Sequence, residues 1–127
     1  MPAENVFEAY RTIKRLKEHV NVYAIKDSIE NIGIGIETDN GEIIYKKALF
    51  FPEGPESPDD RRVGPDHRER YVLGLVRTLS CCIRKETGVN VTCQDKDLIE
   101  IKDILEPITP AEMGHFLEMF RNLRTLA

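Results

Sequence analysis

Between Val20 and Phe51 the chain carries three apolar stretches in close succession, VNVYAIKD, NIGIGIET and GEIIYKKALFF, each alternating as a β-strand does. The second and third meet at Asn40-Gly41, a dipeptide that tolerates the positive φ of a type I′ hairpin turn. Strands joined this tightly predict an antiparallel meander. A meander is a scaffold, and what it scaffolds must come from the helices and acids around it.

Faces follow from the alternation. The first strand sends Tyr23 and Ile25 one way and Val22 and Ala24 the other, so it is apolar on both sides and belongs at the centre of a sheet. The second sends Ile32, Ile34 and Ile36 to one face and Gly33 and Gly35 to the other, a bare side that invites close approach by a helix or another backbone. Lys46 and Lys47 in the third suggest an exposed stretch, as on a protected edge strand.

Helices are expected on both sides of this unit. Residues Asn5 to His19 place Val6, Ala9, Tyr10, Ile13 and Leu16 at helical spacing, with Arg11, Lys14, Arg15 and Lys17 opposite. After Phe51 the segment PEGPESPDDRRVGPDH, with four prolines and two glycines, predicts a loop over 52–65. Asp66 and Glu69 have capping-box spacing for a helix whose core side is Val72, Leu75, Val76, Leu79 and Ile83, ended by Gly88. A fourth strand is expected over Val89 to Gln94, parallel to the first because a helix precedes it. Asp95 or Asp97 would then cap a short helix Leu98 to Leu105, closed by Pro107. Thr109-Pro110-Ala111-Glu112 starts a final helix with Met113, Phe116, Leu117, Phe120, Leu123 and Leu126 on one side, a stripe that reads as a core face or a dimer interface. The expectation is one α+β domain over 1–127: an N-terminal helix over 4–19, a sheet-and-helix core over 20–95 and C-terminal helices over 97–126.

Composition narrows the function classes. A net charge of −4 argues against coating nucleic acid by bulk positive charge, although a local patch such as Arg61, Arg62, Arg68 and Arg70 can still meet phosphate. No apolar run approaches a membrane span and the first residues lack the pattern of a signal peptide, so no membrane contact and a cytoplasmic location are expected. Cys81, Cys82 and Cys93 lack the spacing of a zinc site and read as buried or partly buried free thiols. His19, His67 and His115 fall one to an element, which argues against a histidine metal cluster. No phosphate-binding glycine loop is present, since IGIGI does not open a helix.

VYAIKDS leading into IGIGI, the hairpin GEIIYKK, the helix opening HRERYVLGLV and the strand VNVTCQDKDLIE together resemble the ribonuclease H-like superfamily from about Val20 to Leu105. The resemblance implies a fold with an antiparallel meander, a helical crossover and a fourth strand. It also implies two divalent ions, Mg²⁺ or Mn²⁺, held by acids from the first strand, the first helix and the end of the fourth strand. Carried over by position, those acids are Asp27, Glu69 and Asp95, as metal ligands and catalytic groups. Several carboxylates must converge because two metals clamp both the attacking and the leaving oxygen.

This chain departs from the pattern in three places. No Gly follows Asp27, Arg70 takes the family's Glu position when the helix is aligned through Tyr71-Val72-Leu73-Gly74, and the fifth strand with its acid has no counterpart. Glu112 or Glu118, with His115 between them, would be substitutes from the final helix. The departures imply a ribonuclease H-like domain with degenerate acids that binds nucleic acid or a protein partner. A Mg²⁺-dependent nuclease and a homodimeric module, pairing through the glycine side or the final helix, are the rival readings. Caps and turns account for each acid separately.

Overall fold

The computed structural model describes residues 2–49 and 65–126. Its elements are α1 (Val6–Leu16), β1 (Val20–Lys26), β2 (Ile32–Thr38), β3 (Ile43–Ala48), α2 (Pro65–Thr87), β4 (Val91–Glu100) and α3 (Pro110–Leu126). The loop with Arg61 and Arg62, and Phe50 and Phe51 of the third stretch, lie outside the described residues, as do the side chains of Asp66, His67, Phe120, Leu123 and Leu126.

The architecture is α+β around a mixed four-stranded sheet in the order β3-β2-β1-β4. β1 pairs antiparallel with β2 and parallel with β4, the strand that α2 leads into, so the strand apolar on both sides is indeed interior. Val20, Val22 and Ala24 of β1 and Ile32, Ile34 and Ile36 of β2 face one way. They form one core with Val6, Ala9 and Ile13 of α1, five residues of α2 (Val72, Leu75, Val76, Leu79, Ile83), and Met113 and Phe116 of α3. All three helices therefore cover the same face. Tyr23 and Ile25 point to the opposite face, into a smaller cluster with Ala48, Leu105 and Ile101.

Four expectations change. The hairpin has positive φ at Gly41 but not at Asn40, and Gly41 N–H donates to Thr38 O at 3.0 Å. That is a type I turn followed by a left-handed residue, not type I′. α1 stops at Leu16 because Lys17 takes a left-handed cap (φ 56°) and donates to Ile13 O, which leaves His19 outside the helix. Lys47 is buried and pairs with Glu106 at 3.1 Å, so the two lysines of β3 do not form a wholly exposed run.

The largest change is at β4, which starts at Val91 and runs to Glu100 where a cap and a short helix were expected. Tyr23 pairs with Gln94 and the next residue, Ala24, with Leu98, so Asp95, Lys96 and Asp97 bulge out and the strand resumes beyond them. Ile101 N–H still donates to Lys26 O. From there the chain crosses the open face to the far edge, where Ala48 N–H donates to Glu106 O and Ile108 N–H to Ala48 O. α2 does end at Gly88 (φ 72°). α3 is capped by Thr109, whose Oγ1 accepts from Glu112 N–H at 3.1 Å.

Candidate functional site

Asp27 follows β1, at the turn before β2, and is 5% exposed. Its Oδ1 accepts from Ile29 N–H (3.0 Å) and Asn31 N–H (2.8 Å), and its Oδ2 from the Asn31 amide (3.0 Å) and Leu105 N–H (2.9 Å). Desolvation raises its pKa, but these bonds together outweigh it and hold the carboxyl below its ordinary value. Both oxygens are committed to closing a turn and to pinning the segment that crosses the open face.

Asp95 sits in the bulge of β4 and pairs with Arg77 of α2 at 3.3 Å, on the helical side. Glu69 is half-buried near the start of α2. Asp27 and Asp95 thus answer to partners on opposite faces of the sheet. Among the described residues, no group of three or more His, Cys, Asp and Glu side chains is placed to hold a metal ion. A carboxylate whose oxygens accept four N–H bonds and another held by a guanidinium do not fit a shared Mg²⁺ or Mn²⁺ site, which needs those lone pairs free. Arg68 and Arg70 are both exposed, and Arg68 lines a hollow shared with Glu30.

The candidate substitutes on α3 also have other roles. Glu112, 4% exposed, directs Oε2 to Val6 N–H at 3.0 Å, the first residue of α1, and lies 3.5 Å from the Tyr45 hydroxyl. It therefore caps a different helix from the one it starts, where a capping box on its own helix was expected. Its Oε1 is buried, with no hydrogen-bond partner among the described residues, and is 3.7 Å from His115 Nδ1. Glu118 lines a groove described below.

The open face holds a polar network that local sequence does not reveal. The Tyr23 ring lies over Gly35, where an added Cβ would come within 2.6 Å of it, and its hydroxyl donates to Glu37 Oε2 at 2.9 Å. The bare side of β2 is thus filled by a cross-strand tyrosine, while at Gly33 a Cβ would run into the Lys47 carbonyl of β3. Burial, then the bond and charge of Glu37, push the Tyr23 pKa up. At the strand end, His19 Nδ1 meets both oxygens of Asp39 (2.9 and 3.0 Å) and Nε2 meets Thr92 Oγ1 (2.7 Å). Asn21 donates to Asp39 Oδ1 at 2.9 Å. Bonds from Asn21 and His19 lower the Asp39 pKa. An open hollow of about 490 Å³ adjoins, with Asn21, Tyr23, Glu37 and Asp39 among its lining residues.

The helical side carries a second concavity, about 460 Å³, where α1, α2 and α3 meet. Phe7 and Tyr10 of α1, Cys81 and Cys82 of α2 and Met119 of α3 supply its apolar lining. Phe7 is 47% exposed and touches the rings of Tyr10 (6.3 Å) and His115 (5.0 Å) edge-on. Tyr10 donates to Met119 Sδ at 3.6 Å, and burial pushes its pKa up. All three cysteines are free; Cys82 is half-buried with a raised pKa, also from burial first, and Cys81 is exposed where a partly buried thiol was expected. Phe7 widens the α1 stripe toward Tyr10 at i, i+3, and that extra aromatic is the sequence signal for the groove.

No helix among the described residues is long and apolar enough to cross a membrane. Comparison with protein-family models, with curated proteins and with solved structures finds no match.

Proposed function

We propose that the chain is a ribonuclease H-like interaction module that binds a protein partner in the helical groove, and that this partner is a second copy of the chain. The sheet supports the first part: the order β3-β2-β1-β4, with β4 parallel to β1 through α2, is what the resemblance implies for the family's first four strands. The metal-dependent nuclease reading lacks such support, because Asp27 and Asp95 are engaged elsewhere.

The observation that carries the proposal is the groove beside Phe7. A two-fold interface is self-complementary, so one surface must present both a projection and a recess. Here an exposed Phe7 stands at the rim of an apolar recess. The lining also carries Lys85 with Glu86 and Glu118, charges of both signs that can pair across a two-fold axis. On the open face Glu37 and Asp39 outnumber Lys46 in the hollow and disfavour phosphate.

Sedimentation velocity across a concentration series tests this. Wild type is expected to run as a dimer, and Phe7→Glu, which puts a charge into an apolar contact, to weaken association by more than about tenfold. A wild type that remains monomeric at about 100 μM would overturn the second-copy reading. Binding to nucleic acid that weakens steeply with salt, without self-association, would favour the nucleic-acid alternative.

A further inference from the structure

The polar network at the start of β1 has an order of contacts that a structural stitch does not require. Asp39 meets one ring nitrogen of His19, and the other ring nitrogen meets the Thr92 hydroxyl at 2.7 Å. With Nδ1–H donating to Asp39, Nε2 is the acceptor for the Thr92 O–H. That is the arrangement of nucleophile, base and orienting acid that activates a hydroxyl in acyl transfer. The acid is itself held by the Asn21 amide. Asn21 and Thr92 are register partners on β1 and β4, and Asn21 and Asp39 line the open hollow.

We infer that Thr92, activated by His19 and oriented through Asp39, is the nucleophile of a second site on the open sheet face that acts on small carboxylic esters. The substrate class follows from the surroundings. Glu37 and Asp39 outnumber Lys46 in the lining, which disfavours an anionic acyl group, whereas Ile43, Ile99 and Ile101 in the hollow accept an apolar one. Gln94, two residues along β4 from Thr92, also lines the hollow and carries an amide donor for the carbonyl oxygen.

The step balances without a further reactant except water. The Thr92 O–H proton passes to His19 Nε2 as the Oγ–acyl bond forms, and the ester C–O bond breaks. The leaving oxygen takes the proton back from His19. Water, deprotonated by the same nitrogen, then cleaves the acyl-threonine to the carboxylic acid and restores the hydroxyl. No oxidation or reduction occurs, and the site lies on the opposite face from the dimer groove.

The full chain with p-nitrophenyl acetate is the test, read by p-nitrophenol release and by peptide mapping of the acetyl group. The expected result is an acetyl group on Thr92. It disappears in Thr92→Val and His19→Gln, persists in Thr92→Ser, and slows by at least about tenfold in Asp39→Asn. Thr92→Val keeps a β-branched side chain in the strand, and its thermal melt beside wild type checks that a loss of labelling is not a loss of fold. Acetyl on His19 or on lysines instead of Thr92, or equal labelling of Thr92 when His19 is Gln, would overturn the inference.

Discussion

Two buried carboxylates latch this fold from opposite faces, and they are built differently. Asp27 on the open face takes four hydrogen bonds, three of them from backbone N–H groups, and both of its oxygens are used. Glu112 on the helical face takes one backbone bond at 3.0 Å and a long one from Tyr45, while its second oxygen has only the 3.7 Å approach of His115 Nδ1 and no hydrogen bond among the described residues. Asp27 holds a crossing segment with little other structure of its own, whereas Glu112 caps a helix that Val6, Ala9 and Ile13 already anchor in the main core. A carboxylate matters most where hydrophobic burial does least.

The largest expected effect follows from that difference. Asp27→Ala leaves Leu105 N–H buried without its acceptor and opens the turn at Ile29 and Asn31, for a loss of about 2–4 kcal/mol by chemical denaturation. Asp27→Asn should lose less, since one oxygen remains an acceptor, and it also isolates the pH dependence. The folded pKa of Asp27 lies below its unfolded value, so its contribution is present above the unfolded pKa and is lost as pH falls through the folded one. Wild type should therefore lose stability below about pH 4, and Asp27→Asn should show a flatter acid limb. An unchanged limb would mean that the latch does not depend on charge.

These residues also show where the sequence was legible. The meander, the interior position of β1, α2 with its Gly88 stop and the Thr109 cap all rest on local periodicity or cap chemistry. The stretch from Leu98 to Leu105 did not, because its apolar residues satisfy a helical period as well as an alternating one. Pairing with β1 past a three-residue bulge decided the outcome. Asp27 was legible as a turn former, but its bond to Leu105 spans 78 positions and leaves no local trace. The same holds for His19 and Thr92, 73 positions apart. The place of Asp27 at the end of the first strand points to a metal ligand; its actual partners are set by the fold.

Glu112 should matter less. Glu112→Ala leaves one N–H of α1 unpaired, yet it also removes the buried oxygen that has no hydrogen-bond partner, so the two changes partly offset. A loss of about 1–2 kcal/mol is expected, below that of Asp27→Ala measured alongside it. A loss equal to or greater than Asp27→Ala would reverse the ranking and show that α1 depends on this cap more than on its buried apolar side chains.

The smallest expected effect is the coupling between the two latches. They share no hydrogen-bond partner and belong to separate clusters, Glu112 contacting Tyr45 and Val6 in the main core, Asp27 holding Leu105 in the small one. Two strands touch both: β1, through Val22 and Ala24 on one side and Tyr23 and Ile25 on the other, and β3, through Tyr45 and Ala48. Independent sites add to within about 0.5 kcal/mol, so the double variant should lose the sum of the single losses within that margin. A larger coupling in a double-mutant cycle would mean that the sheet transmits strain through β1 or β3, and that the two faces open as one unit.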